Sequence, residues 1–441
     1  MQGGKPAAMR MIAAAAAVVM LLALLAGCAA GKDEGTNAGG PAAGTEAPAG
    51  EQAREDGGAE DAPDGAGEQA AESGPAAEDQ PAEPAEPAKP AEPGVQQDIP
   101  SLAETYADYF PIGAAITPEQ TEGLMSELLK KHVNMLVAEN VMKPSIIQPT
   151  EGQFRFEQAD KIVEFAKANG MELRFHTLVW HQQVPAWFFY DKEGKRMVDE
   201  TDPAKREENK KLLLERLDKH VRVIVNRYKD DIKSWDVVNE VIEPADPGGM
   251  RNSEWYQIAG IDYIETAFRA AREAGGPDIK LYINDYSTED PAKRDRMYEL
   301  VKELLDRGVP IDGVGHQTHV NVDWPRADLL IESMRKFAEL GLDNIVTEMD
   351  MSIYAWNDRR DYGSDIPESV IRKQADRYRE FFEAFMENRD LVSAVVFWGI
   401  ADSHTWLHDF PVKGRTDAPL LFDRNLQAKP AFWSVVEAAK D

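Results

Sequence analysis

Two glutamates are set in matching surroundings. Glu240 closes the run Trp235-Asp236-Val237-Val238-Asn239-Glu240, and Glu348 lies in Val346-Thr347-Glu348-Met349-Asp350. Each run is largely apolar until it reaches its acid, as a buried strand reads when it ends at a polar mouth. A facing pair of carboxyls can hydrolyse a glycosidic bond. One, protonated, supplies a proton to the leaving oxygen; the other, ionised, attacks the anomeric carbon or activates water. A single glutamate at a strand end is weak evidence, because many strands end so. A pair flanked by Asn, His and Trp is stronger.

The pair needs a scaffold that brings the two runs to one cleft. After Ser101, short runs rich in Val, Ile and Phe recur at 112–116, 135–139, 172–178, 232–239, 280–285, 313–318, 345–349 and 394–399. Longer amphipathic segments separate them. Leu213, Leu217, Val221, Ile224, Val225 and Tyr228 fall at helical spacing within 206–228. Tyr256, Ala259, Tyr263, Ala267 and Ala270 do the same within 253–274. Alternating β and α segments imply a parallel sheet covered by helices, and eight repeats match an α/β fold of the (β/α)8 TIM-barrel type. The rival is an open, doubly wound sheet, but no glycine-rich phosphate loop opens a helix here. Asp312-Gly313-Val314-Gly315 places its glycines before and within a strand. Polar residues also gather where the runs end: Glu139 and Asn140, His176, Trp180 and His181, Asn284 and Asp285, Gln317 and His319, Asp350 and Trp398. In a barrel those ends share one face, the face that carries active sites. The fourth and seventh runs then set Glu240 and Glu348 across its mouth.

With these segments placed, a resemblance emerges. The two glutamate runs resemble the signature sites of glycoside hydrolase family 10, the endo-β-1,4-xylanases. So do 176–187 with His176, Trp180, His181, Gln183 and Trp187, and 139–152 with Glu139, Asn140, Lys143 and Gln148. The segments 282–286, 315–319, 397–402 and 419–431 fit as well, in the family's order across roughly 101–439. The resemblance implies retaining hydrolysis of internal bonds in xylan, with Glu348 as nucleophile, Glu240 as general acid/base and carboxyls about 5–5.5 Å apart. It implies that Asn239 bonds the sugar 2-hydroxyl and the nucleophile, and that His319 and Asp350 orient Glu348. Glu139, Asn140, Lys143, His176, Trp180, Gln183 and Gln317 become sugar contacts, with His319 lining the same site. Trp398 and Trp406 become an apolar platform and wall, since indoles stack on the C–H faces of sugars. Trp187, Trp235 and Trp433 are assigned to the core. A charged Glu348 is expected to make Glu240 hold its proton more strongly. One departure is Pro144, where many members carry Trp, which bears on a distal subsite. Arg415 is a candidate for the far subsites.

The remainder of the chain gives an address. Lys5 and Arg10 precede an apolar run at 11–26, the form of a secretory signal. It ends Leu25-Ala26-Gly27-Cys28, which resembles a bacterial lipobox: residues 1–27 would be removed and Cys28, the only cysteine, acylated. The protein is thus expected to be exported and held by lipid on the outer face of a bacterial membrane. Residues 28–100 are Ala, Gly, Pro and Glu with almost no large apolar side chain, which predicts a disordered acidic linker. The Pro-Ala-Glu repeat at 81–93 should be extended. All nine tryptophans lie beyond it, so residues 101–441 hold the catalytic barrel, expected to be monomeric.

A net charge of −29 argues against nucleic acid as a partner. The lone cysteine excludes an internal disulfide. His176, His181, His316 and His319 invite a metal, but no ligand spacing such as H-E-x-x-H appears, so no metal or cofactor is expected. Two rivals remain: a β-glycanase acting on cellulose or mixed-linkage glucan, and a surface polysaccharide-binding protein without catalysis. The second would predict a changed Glu240 or Glu348, and both are present.

Overall fold

The computed structural model describes residues 94–440. The expected signal segment, Cys28 and the linker up to residue 93 lie outside them. The described residues form nine strands: β1 (Ile112–Ile116), β2 (Met135–Ala138), β3 (Glu172–Val179), β4 (Ser234–Asn239), β5 (Lys280–Asp285), β6 (Gly313–His316), β7 (His319–Asn321), β8 (Asp343–Ser352) and β9 (Val395–Phe397). Their order is β6-β5-β4-β3-β2-β1-β9-β8-β7, and a β6–β8 pairing closes the ring. All of these pairings are parallel. The result is the expected eight-stranded TIM barrel, with β6 and β7 together filling its sixth position.

The sixth strand, expected as one run to Thr318, ends at His316, and β7 begins at His319. It is broken because Thr318 adopts φ 62°, a left-handed conformation outside any strand. The expected helix over 253–274 is also two helices, Glu254–Ala259 and Asp262–Gly275, parted at Gly260 with φ 61°. The helix read over 206–228 instead starts at Pro203. Asp202 accepts from the backbone of Ala204 and Lys205, and Pro at the first helical position lacks an N–H that would go unpaired.

Side chains separate by the strand period of two. Outward residues such as Leu136, Phe175, Trp235, Leu281 and Val314 pack under the helices in one continuous core. Inward residues form a second cluster of Ala115, Met135, Val137, Tyr282, Ile345, Ala394, Val396 and Trp398. The lumen is therefore filled, and only its upper end is polar. Packing begins ahead of residue 101. Ala428 N donates to Gln96 Oε1 (2.7 Å), Lys131 Nζ donates to the Gln97 carbonyl (3.0 Å), and Ile99 is buried. Residues 94–100 thus belong with the barrel, because this short stretch carries apolar and amide side chains that the Pro-Ala-Glu tract lacks.

Three irregularities aim side chains at the mouth. Register shifts occur at His176/Val179 on β3, Asp236/Val238 on β4 and Val346/Met349 on β8. A bulge turns a side chain out of strict alternation, and bulges concentrate beside active sites. On β8 the shift lets Thr347 and Glu348, adjacent in sequence, both reach Asn284.

Candidate active site

Glu348 sits within β8 and is gripped on both oxygens. Asn284 Nδ2, at the end of β5, donates to Oε1 at 2.7 Å. His319 Nε2, at the start of β7, lies 3.2 Å from Oε2. The other side of that imidazole, Nδ1, is 2.9 Å from Asp350 Oδ1. Burial would pull His319 down, but the Asp350 and Glu348 carboxylates outweigh it and push it up to about 10. It is a cation between two anions. Asn284 is itself fixed, since its Oδ1 accepts from Thr347 Oγ1 at 2.7 Å. That leaves its amide nitrogen to meet Glu348 and also Asn239 Oδ1, at 2.9 Å. The backbone explains how close these groups come. A Cβ on Gly315 would lie 2.3 Å from Asn284 Oδ1, so only glycine fits beside that amide.

Glu240 lies one residue beyond β4, with φ 58°. Its backbone N–H donates to the Asn284 carbonyl at 2.9 Å, and Gln317 Nε2 donates to its Oε1 at 3.2 Å. His181 Nδ1 is 3.9 Å from Oε2. Burial acts to raise Glu240, but the charges of His181 and Arg251 and hydrogen bonds from Trp180 and Gln317 outweigh it and hold the carboxyl at about 2. This corrects the expectation of a more tightly held proton. The groups on the loops around Glu240 outweigh its burial.

The remaining expected contacts divide into three groups. Asn140 Oδ1 accepts from Lys143 Nζ (3.0 Å) and from Gln183 Nε2 (3.3 Å). Lys143 is buried, with its ammonium 4.8 Å from the Trp180 ring and 5.8 Å from that of Trp398. Glu139 is met by His404 Nε2 at 2.6 Å, a contact between loops 265 positions apart. His176 Nδ1 is 3.1 Å from Asp236 Oδ2 and 3.8 Å from Glu348 Oε1, and its ring meets Trp398 edge-on. Asp236 is held in turn by Arg174. Trp406 donates from Nε1 to Asp350 Oδ2 (2.8 Å) and lies 5.0 Å from the His319 ring. The cleft thus has a polar, lysine-containing end, a pair of acids, and an indole wall tied to the acid that faces His319. Among the described residues, no group of His, Cys, Asp and Glu could hold a metal.

Residues 101–438 match the sequence profile described as Glycosyl hydrolase family 10. The chain belongs to that family. It is 69% identical over 344 residues to a thermostable celloxylanase of Thermoclostridium stercorarium, covering 78% of this chain and 89% of the relative. It is 56% identical over 345 residues to endo-1,4-beta-xylanase A of Halalkalibacterium halodurans, covering 77% and 87%. The solved xylanase B from Clostridium stercorarium F9 aligns at 69% identity and a TM-score of 0.76, covering 77% of this chain and all of that one.

Within this glycosyl hydrolase family 10 barrel, some residues lie elsewhere than the sequence suggested. The amide that donates to Glu348 is that of Asn284, with Asn239 one bond further away. Trp235 is fully buried and Trp187 is half-buried, but Trp433 is 38% exposed. It lies on the C-terminal helix Pro430–Ala438, whose inner face is supplied by Phe432, Val435 and Val436. Arg415 is buried in the loops after β8 and β9, stacked 4.1 Å from the Tyr354 ring and donating to the Asp358 carbonyl. Pro144 is buried at the first position of the helix Pro144–Ile147, where its fixed φ suits a helix start. Arg251 and His404 carried no signal in the sequence, since each acts across a gap that only the fold closes.

Proposed function

We propose that this chain is an endo-1,4-β-xylanase that cuts internal xylosidic bonds with retention of configuration. The observation that carries the reading is the separate fixation of Glu348 and Glu240 at one mouth, in a chain with family 10 relatives of high identity. One solved relative, 42% identical, is a mutant in complex with xylotriose. In the first step a Glu348 oxygen bonds to the anomeric carbon as its bond to the leaving sugar breaks. Glu240 delivers its proton to that departing oxygen. In the second step ionised Glu240 takes a proton from water, whose oxygen displaces Glu348. Both glutamates return to their starting states. The His319 cation and the Asn284 amide stabilise negative charge on Glu348 between turnovers. In the open cleft Glu240 is ionised. To act as the acid it must take up a proton when substrate binds.

Asn239 and Gln317 are proposed to meet the sugar beside Glu240. Glu139, Asn140, Lys143, His176, Trp180 and Gln183 are proposed contacts on the non-reducing side, with Trp398 and Trp406 as platform and wall. The likeness to a celloxylanase favours a second reading, in which cellulosic substrates are also accepted. The full chain should be incubated with xylan, cellulose and mixed-linkage glucan and its products analysed. Short β-anomeric xylo-oligosaccharides are expected; intact xylan would refute the main reading. The same reading includes export and acylation at Cys28, supported by Lys5, Arg10 and the run ending Leu25-Ala26-Gly27. Labelled palmitate should enter the wild type and not Cys28→Ser; equal labelling of both would refute it.

A further inference from the structure

Arg251 stands beside Glu240 but belongs to none of the motifs described above. It lies on the loop after β4, and its side chain is 14% exposed. Its Nε donates to the carbonyl of Glu240 at 2.6 Å, and its Nη2 donates to Tyr286 Oη at 2.7 Å. Tyr286 Oη in turn donates to Glu243 Oε2 at 3.2 Å. Glu240 needs such a clamp. A non-glycine residue at φ 58° occupies a sparsely populated region, and it persists only when its surroundings fix it. Here the N–H of Glu240 is bound to the Asn284 carbonyl and its own carbonyl to Arg251, so the peptide units on both sides are held.

The charge of Arg251 acts on Glu240 as well, beside that of His181. Burial, with Arg251 and Lys293 nearby, pushes His181 down to about 4, so it is neutral above that pH. Lys293 is 2.7 Å from Asp285 and sits over the Tyr286 ring. Lys143 is directed to Asn140 and the Trp180 ring. On the opposing side, Glu348 faces His319. The guanidinium of Arg251, itself 3.7 Å from Glu243 Oε2, keeps its positive charge beside Glu240 at every pH at which His181 has lost its own.

We infer that Arg251 is a positioning residue for Glu240, fixing its left-handed backbone and, by its charge, setting the ease with which it gains and loses its proton. This rests on the acid/base reading of Glu240. The two can fail separately, because the titration of Glu240 can be followed without substrate. Carbon-13 NMR of glutamate-labelled protein, with Glu240→Gln to assign the signal, would be recorded for wild type, Arg251→Lys and Arg251→Met. In Arg251→Met the Glu240 midpoint is expected to rise by about 1–3 pH units, the effect of losing a close opposite charge. The alkaline limb of kcat/KM on xylo-oligosaccharide should move the same way. Arg251→Lys keeps the cation but loses the fork. It should titrate within about half a unit of wild type while kcat falls about tenfold. An unmoved midpoint in Arg251→Met overturns the inference even if activity drops. If that variant does not fold, wild-type titration and wild-type kcat in Arg251→Lys overturn it instead. A wild type that leaves xylan intact would sink the function and leave the titration result standing.

Discussion

The two glutamates differ most in the backbone that carries them. Glu348 is inside β8, which continues through Ser352, and its side chain is 5% exposed. Glu240 is past the end of β4, in a left-handed turn, and its side chain is 13% exposed. Glu348 is held by partners on neighbouring strands. Glu240 is held by loop residues, by Gln317 and by the Arg251 clamp. The contrast suits their proposed duties. A nucleophile must reach one carbon along one line, so it belongs on the stiffest element available. An acid/base must exchange protons with entering and leaving molecules, so it belongs at the rim.

That contrast can be tested. Glu348→Ala should have the largest effect, a fall in kcat of about 10⁵-fold on any substrate, as removal of a nucleophile does elsewhere. Comparable losses on xylan and on aryl xylosides would support the assignment, and a spared aryl xyloside would reverse it. Glu240→Ala should cost about 10²–10⁴-fold on xylan, the usual worth of a general acid. The first step with a good leaving group should be nearly untouched, seen as a burst of released phenol. Gly315→Ala sharpens the role of the rigid side. The added methyl would collide with the Asn284 amide, and overpacking of this kind costs about 1–3 kcal/mol. Melting temperature and kcat should both fall, with kcat lower by about tenfold or more; unchanged kcat would show that Asn284 is dispensable to Glu348.

A smaller effect concerns pH. His319 is raised from its ordinary value near 6.5 to about 10 by its two carboxylate partners. A raised folded-state value means its stabilisation is complete below about 6.5 and is lost as pH rises through about 10. Wild type should therefore lose stability across that window, and His319→Gln should show a flatter curve. A parallel curve would mean that His319 is not the charged link between Glu348 and Asp350. The smallest expected effect is none: EDTA should leave xylan hydrolysis unchanged. Inhibition reversed by a divalent cation would contradict the two-carboxylate chemistry.

Much of this was legible in the sequence. Strand runs, their polar ends and the two glutamates follow from local patterns of apolar and polar residues, and these patterns survive folding. What the sequence left obscure depends on register. Asn239 meets Asn284 because the shift at Asp236/Val238 sets the two opposite each other, and no spacing along one chain reveals that offset. The break at Thr318 depends on a left-handed backbone that the run Gly313-Val314-Gly315-His316-Gln317-Thr318 does not announce. Trp433 was assigned to the core by residue type, but a nine-residue helix has a narrow inner face, and larger neighbours took it. The low proton affinity of Glu240 was missed for the same reason as Arg251. Both depend on residues distant in sequence and close in space: His181 and Arg251 lower the proton affinity, and Arg251, eleven positions on, also bonds the Glu240 carbonyl.

The break in the sixth strand has one more consequence. Gln317 touches Glu240 and His319 touches Glu348, with only Thr318 between them. A single tripeptide therefore works as a gauge that spaces both acids at once. The gap it sets decides the handedness of the product, because about 5–5.5 Å between carboxyls favours retention and about 6.5–9.5 Å admits a water and favours inversion. A descendant of this chain could keep both glutamates and change its stereochemistry by lengthening that one step.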